Sequence, residues 1–141
     1  MTARLLLDTS VIVASLDGDE PHHAACDRLL GAGGHAIYAH ALSETFTVLS
    51  GGKPARRLRP ALAVQLIEDN VLPFVELIHL TGKETLAAIA QSEARGVRGG
   101  AVYDLLHLVA ARKAGVEALV TLDVRDFQAL SRAGDPAIRG V

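Results

Sequence analysis

Several features that would assign this chain to a class at once are scarce or missing. Its 141 residues include one cysteine, Cys26, so no disulfide can form within the chain. The apolar runs are short and are broken by Asp, Glu, Pro or Gly, so none of them is expected to span a bilayer. Residues 1–16 contain one Arg and an apolar stretch, but Asp8 interrupts it and no small-residue cleavage pattern follows. We therefore expect a cytoplasmic protein without a membrane segment.

The motifs of several enzyme classes are missing as well. The histidines and Cys26 lack the spacing of a zinc site, and no P-loop or nucleophile elbow occurs. Residues 31–36 fit a GxGxx(G/A) pattern, but they follow a helical segment and precede a strand, the reverse of the order that dinucleotide binding requires. The 14 basic and 16 acidic residues give a net charge of −2, so overall charge offers no support for nucleic-acid binding.

The chain does have the composition of a compact domain. Half of its residues are apolar and 21% are charged, a profile without a disordered tail. Its length fits one domain over residues 1–141, which would bury about two thirds of its unfolded surface. Cys26 lies among helical residues, so we expect it to be a buried bystander.

Hydrophobic patterning and turn residues predict strands that alternate with helices. The predicted strands cover residues 3–8, 35–39, 72–80 and 117–121, with an edge strand at 136–141. The predicted helices cover residues 10–16, 21–31, 41–50, 60–70, 81–95, 101–114 and 124–131. A capping box of Thr81 and Glu84 begins the fifth of them. This order predicts an α/β fold with a central parallel sheet of four to five strands and helices on both faces.

Four acidic residues stand where an apolar run gives way to polar sequence: Asp8, Glu44, Asp104 and Asp123. A carboxylate beside a buried segment is costly unless it is paired or binds a metal. Asp8 and Asp123 follow strands, and the other two lie near helix N-termini, so a parallel sheet brings all four to the carboxyl edge of its strands. The pattern predicts one acidic site, whose all-oxygen ligands favour Mg²⁺ or Mn²⁺ over zinc.

Each acid also has a purely structural explanation. Asp8 could be the N-cap of the next helix, a role that is compatible with the acidic site. Asp104 could accept a hydrogen bond from His107 one turn on, and Glu44 could favour the helix dipole. Asp126 is expected to cap the last helix, and it could reach the site through water. Four independent caps at one sheet edge explain the pattern less well than a single cluster.

The segments around these acids are residues 6–11 (LLDTSV), 43–44 (SE), 103–107 (YDLLH) with 110–112 (AAR), and 119–127 (LVTLDVRDF). In this order and spacing they resemble the PIN-domain ribonucleases, and in length the VapC toxins of bacterial VapBC toxin–antitoxin pairs. The resemblance implies a three-layer α/β/α fold, metal-dependent cleavage of single-stranded or structured RNA, a homodimer, and inhibition by a VapB antitoxin that occupies the groove of the toxin. It also implies that the four acids are the catalytic metal ligands, because they match the acidic quartet of the family.

Other polar residues are assigned supporting roles. Thr9, Ser43, Thr121 and Asp126 are candidates to position the ligands or a bound water. The candidates to contact RNA phosphate are Lys53, Arg56, Arg57 and Arg59, which lie in a segment without an acid, together with Arg98 and Arg112. The cluster over 53–59 could equally be a solvated loop and helix start.

Two alternative functions share part of the pattern. An Asp after the first strand also suits a phospho-accepting receiver domain. A receiver, however, needs paired acids near that strand and a Lys after a late strand, where this chain has Asp123. The second alternative is a non-catalytic PIN-like binding module that has kept its acids for solubility.

Overall fold

The structure is a computed structural model of the chain, and it describes residues 4–141. The strands in this range are β1 (Leu5–Leu7), β2 (His35–Tyr38), β3 (Val75–Ile78), β4 (Ala118–Val120) and β5 (Ala137–Arg139). All neighbours pair in parallel, in the order β3-β2-β1-β4-β5. The predicted parallel sheet and its edge strand are thus confirmed. The predicted start of the first strand at residue 3 lies outside the described residues.

Helices connect the strands throughout the described part of the chain. They are α1 (Thr9–Leu16), α2 (His23–Gly31), α3 (Ala41–Ser50), α4 (Pro60–Asn70), α5 (Gly82–Ile89), α6 (Ser92–Arg95), α7 (Val102–Ala114) and α8 (Val124–Leu130). Short 3-10 turns cover Pro54–Arg56, Leu72–Phe74 and Gly99–Ala101. None of the helices within residues 4–141 combines the length and the apolar character needed to cross a membrane.

Most predicted elements differ from the structure by one or two residues at their ends, and three predictions differ by more or in kind. The predicted helix over 81–95 is broken, because the Gln91 N–H bonds to the Ala88 carbonyl three residues back instead of continuing the α-helical pattern. The third strand starts at Val75 rather than residue 72, since Pro73 lies in a 3-10 turn and has no N–H to donate to a strand neighbour. The expectation that Asp126 caps the last helix is wrong: α8 starts at Val124, so Asp126 lies within its first turn.

The sheet lies between two layers of helices because its strands are apolar on both faces. Leu6 of β1 packs into a core with residues of α5, α7 and α8, whereas Leu5 and Leu7 pack into a second core with residues of α1, α2, α3 and α4. Alternate residues of one strand thus serve opposite layers. The three-layer α/β/α prediction is confirmed. Cys26 is fully buried in the second core, as predicted.

Helix α7, which carries Asp104, is anchored to α5. The predicted capping box is present: the Thr81 hydroxyl accepts from the Glu84 N–H at 3.1 Å, and the Glu84 carboxylate accepts from the Thr81 N–H at 2.9 Å. The ammonium of Lys113 on α7 donates to the same carboxylate at 2.8 Å. These bonds, that of Lys113 first, lower the pKa of Glu84 to about 2. The two helices are thus held together at the end of α7 that is remote from Asp104.

Candidate active site

Asp8 lies where β1 ends and α1 begins. Its Oδ1 accepts from the N–H groups of Ser10 at 3.0 Å and Val11 at 3.4 Å, so the predicted N-cap role is confirmed. The residue is only 4% exposed. Burial raises the pKa of Asp8, and the hydrogen bonds that it accepts offset this effect only in part.

Two hydroxyl groups tie Asp8 to the loop that follows β4. The Ser10 hydroxyl donates to Oδ1 of Asp8 and accepts from the Leu122 N–H at 3.0 Å. The Thr121 hydroxyl donates to Oδ2 at 2.8 Å and accepts from the Asp123 N–H at 2.9 Å. This network follows from the pairing of Leu7 with Val120, which brings the ends of β1 and β4 side by side. Both carboxylate oxygens of Asp8 are therefore fixed in direction.

Glu44 is held by a different kind of partner. Its Oε1 lies 2.8 Å from Nε2 of His107 on α7 and 3.0 Å from Nδ1 of His40, which precedes α3. Burial alone would raise the pKa of Glu44, but the contacts with His107 and His40 outweigh it and the pKa is lowered. The proposed hydrogen bond from His107 to Asp104 is wrong, because Nε2 is directed to Glu44 and lies 3.4 Å from the Thr9 hydroxyl.

Asp104 and Asp123 complete the set of predicted acids. Asp104 is the third residue of α7, and burial, followed by the negative charge of Asp8, raises its pKa to about 6. The charges of Asp126 and Asp123 raise it further, while that of His107 lowers it. Asp123 holds the N-cap position of α8, but its side chain makes no capping hydrogen bond.

The structure places all four predicted acids in the wall of one cavity of about 380 Å³. We call it the acidic cavity. Thr9, Ser10 and His107 line it as well, as does Glu20 from the turn between α1 and α2. As the side chains stand, residues 4–141 contain no group of three or more His, Cys, Asp or Glu close enough together to hold a metal ion. The four acids line the same cavity, but their carboxylates do not converge on a common position.

The predicted supporting residues are distributed unevenly. Thr121 bonds directly to Asp8, and Thr9 approaches His107. Ser43 instead lines a separate apolar cavity of about 370 Å³ between α3 and α4. Ser10, which the prediction left out, bonds to Asp8, and the sequence signal for it was a hydroxyl residue two positions after an N-cap Asp.

The predicted basic residues also separate. Lys53 and Arg56 line a third cavity of about 740 Å³, which shares Val13 and Val48 with the acidic cavity. Asp17 and Asp19 line it as well, so its wall carries both signs of charge, and we call it the mixed-charge cavity. Arg112 lies 3.6 Å from Asp135. At about 1.5 Å per residue, it is roughly 12 Å along α7 from Asp104.

Of the other three predicted basic residues, Arg57 bonds to its own loop, whereas Arg59 and Arg98 are exposed on loops. Arg57 donates to the Gly52 carbonyl at 2.9 Å, which keeps its guanidinium at its own loop. Arg59 directly precedes α4, and Arg98 directly precedes the turn that leads into α7.

A family model for the PIN domain matches residues 5–133. This chain belongs to the PIN-domain family. It is 33% identical over 126 residues to ribonuclease VapC40 of Mycobacterium tuberculosis, which covers 89% of this chain and 90% of the relative. It is 32% identical over 134 residues to ribonuclease VapC27 of the same species, over 95% of each chain. DNA-bound VapBC from Salmonella typhimurium shares the fold, with a TM-score of 0.69 and 19% identity over 99% of this chain and 98% of that chain.

Membership of the PIN-domain family, with VapC ribonucleases as relatives, confirms the resemblance found in the sequence. The receiver-domain alternative is wrong for the same reason. The comparison does not bear on the other alternative, a PIN domain without catalysis, which requires the experiment given below.

The acidic cavity of this PIN domain suits a divalent cation. Its lining residues among the described ones include no Lys or Arg, so no permanent cation of the wall neutralises the carboxylates. The raised pKa of Asp104 reflects its burial first and the surrounding negative charge second. Carboxylate oxygens are the donors that Mg²⁺ and Mn²⁺ prefer. PIN-domain ribonucleases generally use divalent metal ions, and the donor set of this cavity fits that requirement in chemistry, while its carboxylates would have to draw closer together around the ion.

Proposed function

We propose that this chain forms one domain over residues 1–141 and acts in the cytoplasm as the toxin of a VapBC-type pair, cleaving RNA as an Mg²⁺- or Mn²⁺-dependent endoribonuclease. One observation carries the proposal: the four acids of a PIN domain line a single cavity that has no Lys or Arg in its described wall. The ribonuclease relatives VapC40 and VapC27 support RNA as the substrate.

The four acids would not contribute equally to binding the cation. Asp8 and Asp104 would be the principal ligands, and Glu44 and Asp123 would bind directly or hold a water beside them. Bound there, a divalent ion would lower the pKa of a coordinated water and offset the charge that develops on the attacked phosphate.

The other side chains of the cavity prepare these carboxylates. Ser10 and Thr121 hold both oxygens of Asp8, so its orientation needs no rearrangement when a ligand arrives. Hydrogen bonds from histidines keep Glu44 ionised. The charge of Asp104, by contrast, is disfavoured by burial and by Asp8, so a cation bound nearby would stabilise it. The protein thus fixes the orientation of Asp8, stabilises the charge of Glu44 and leaves the charge of Asp104 to be stabilised by the cation.

Substrate binding must rely on cations at the border of the acidic cavity, because its own charge repels phosphate. Lys53 and Arg56 are the best placed, since the mixed-charge cavity that they line with Asp17 and Asp19 adjoins the acidic one through Val13 and Val48. Neither of them forms an ion pair with a residue of the described range. Their charge is therefore available to an RNA phosphate. Arg57, Arg59 and Arg98 would contribute at longer range, and Arg112, beside Asp135, would contribute least.

We also include a VapB-type antitoxin and a second copy of the chain among the partners. The fold shared with the Salmonella VapBC structure supports the antitoxin. The apolar cavity between α3 and α4, lined by Leu42, Phe46, Val64 and Ile67, is a candidate groove for a segment of it.

The deciding experiment compares purified wild type with Asp8→Asn and Asp104→Asn on a single-stranded RNA, in MgCl₂, in MnCl₂ and in EDTA. Wild type should cleave only with the metal, and each variant should be slower by at least about 100-fold. Cleavage at the wild-type rate by both variants would overturn the assignment. Wild type that binds RNA but never cleaves it would instead identify a non-catalytic module.

A further inference from the structure

Three aromatic rings form a stack that leads from the interior to the rim of the acidic cavity. Tyr38, at the end of β2, is 8% exposed, and its ring centroid lies 5.9 Å from that of His40 with an interplanar angle of 29°. The His40 ring in turn lies 5.2 Å from that of Tyr103 with an angle of 5°. Tyr103 is 46% exposed. The stack therefore begins on a buried ring and ends on a ring in solvent.

Contacts at both ends of the stack tie it to the cavity wall. His40 contacts Glu44 at 3.0 Å, and Tyr103 directly precedes Asp104 on α7. Tyr38 also packs edge-on against His107, with centroids 5.3 Å apart and an interplanar angle of 83°. Glu44, Asp104 and His107 line the acidic cavity. Tyr103 is not among its lining residues, but it stacks on His40, which contacts Glu44, and we therefore place the exposed ring at the rim.

The chemistry of this position favours a flat ligand part without negative charge. A tyrosine ring offers a π-face and no positive charge, and the carboxylates beside it repel a phosphate. Because His40 already packs against the Tyr103 ring, the ring is partly immobilised before any ligand binds, so less rotamer freedom is lost on binding. A nucleobase next to the scissile phosphate has the flat shape and the neutrality that this rim accepts.

We propose that Tyr103, backed by His40, is a stacking subsite for an unpaired nucleobase of the RNA substrate, adjacent to the phosphodiester that is cleaved. The inference rests on the proposed ribonuclease function and adds to it a residue that selects the substrate. Because a base in a duplex is already stacked on its neighbours, the subsite requires a single-stranded nucleotide at this position. Stacking does not read base edges, so it tolerates sequence changes and responds to the loss of a base.

The test uses the full-length protein and a short single-stranded RNA of one sequence, in which each position in turn is made abasic. Tyr103→Leu should raise KM for intact RNA about tenfold, with kcat changed much less, because it removes ground-state binding. One abasic position beside the cut should raise KM of wild type by a similar factor and that of Tyr103→Leu no further. Tyr103→Trp should bring KM back to the wild-type value or below it.

Phe74→Leu is the matched control. Phe74 is also a part-exposed aromatic residue, at 37%, but it precedes β3 and so lies at the opposite edge of the sheet from the carboxylates. Its KM should stay at the wild-type value. Equal KM values for Tyr103→Leu and wild type, on intact and abasic RNA alike, would overturn the stacking subsite. So would a Tyr103→Leu variant whose only change is weaker self-association or weaker antitoxin binding.

A second readout separates this inference from the proposed function. Binding of RNA that contains 2-aminopurine to Asp8→Asn should quench the fluorescence at one position, and the additional change Tyr103→Leu should abolish that quenching. If wild type cleaves, Asp8→Asn does not, and quenching is independent of Tyr103, the ribonuclease function stands and the subsite is wrong. If wild type never cleaves but quenching depends on Tyr103, the subsite stands on binding alone.

Discussion

Asp8 and Glu44 are carboxylates in the wall of the same cavity, yet their surroundings shift their pKa values in opposite directions. Asp8 is bonded by neutral hydroxyl and amide donors and its pKa is raised by burial, whereas Glu44 is bonded by two imidazoles and its pKa is lowered. Asp104 belongs with Asp8, because its pKa is raised as well. The cavity thus has one half, Glu44, whose charge the protein stabilises, and another half, Asp8 and Asp104, whose charge burial disfavours and a bound cation would stabilise.

The largest expected effect on cleavage concerns the half formed by Asp8 and Asp104, whose charge a cation would stabilise. Asp104→Asn removes a charged ligand and should reduce metal-dependent RNA cleavage by at least about 100-fold. Glu117→Gln is a matched control, because Glu117 pairs with Arg139 near the surface, away from the acidic cavity. It should cleave as wild type does, which is measured from initial rates on one RNA. A smaller loss for Asp104→Asn than for Glu44→Gln would reverse the order of the two halves.

The histidine-bonded half should respond less strongly. His107→Gln replaces the imidazole, whose hydrogen bond and charge lower the pKa of Glu44, by a neutral amide, so the pKa of Glu44 should rise and cleavage should fall by about 10-fold. Carbon-detected NMR of the Glu44 carboxyl in a pH titration measures the first effect, which a merely structural role for His107 would not produce. An unchanged Glu44 titration in a folded His107→Gln variant would contradict the assignment.

The Thr121 hydroxyl, which donates to Asp8, should contribute to the stability of the fold. Thr121→Val leaves Oδ2 of Asp8 buried without its donor, so the free energy of unfolding should fall by about 1–3 kcal/mol in urea titrations. Thr45→Val is the matched control, because the Thr45 hydroxyl is buried and has no hydrogen-bond partner in the described part of the protein. That substitution should be neutral or stabilising. Equal losses for the two variants would remove the special role of Thr121.

The smallest effect is a dependence of stability on pH in metal-free protein. The pKa of Asp104 is about 6 in the folded state and 3.8 in its unperturbed form, so between these values the folded state retains a proton that the unfolded state has lost. Stability is therefore lost as the pH rises from 4 towards 6, and it stays low above that range. Asp104→Asn removes this penalty and should be more stable than wild type at pH 7 by about 1 kcal/mol, with little difference at pH 4. Thermal melts in EDTA at both pH values measure it, and a variant less stable than wild type at pH 7 would contradict the raised pKa.

The architecture was predictable because it depends on periodic patterns. Apolar runs such as Leu5–Leu7 identify buried strands, and alternation with helices implies a parallel sheet whose carboxyl edge collects Asp8 and Asp123. The partners within the site were not predictable in the same way. Whether His107 bonds to Asp104 or to Glu44 depends on side-chain directions across two helices, and its true partner is 63 residues away in the chain. A local sequence pattern contains no information on such a choice.

The same limit applies to the placement of single residues. Thr9 and Ser10 are both hydroxyl residues after Asp8, but only the direction of the first turn of α1 decides which of them reaches its carboxylate. Ser43 is adjacent to Glu44, yet successive helical residues point about 100° apart, which places Ser43 in the apolar cavity instead.

The most direct test is a calorimetric titration of Mn²⁺ into the metal-free protein, with wild type, Asp104→Asn and Glu117→Gln measured side by side at pH 7. A shared acidic cavity that is completed by a cation predicts saturable binding to wild type and to Glu117→Gln, with at least about 10-fold weaker binding to Asp104→Asn. Equal binding by all three proteins, or none by wild type, would contradict the claim that these distant carboxylates form one cation site.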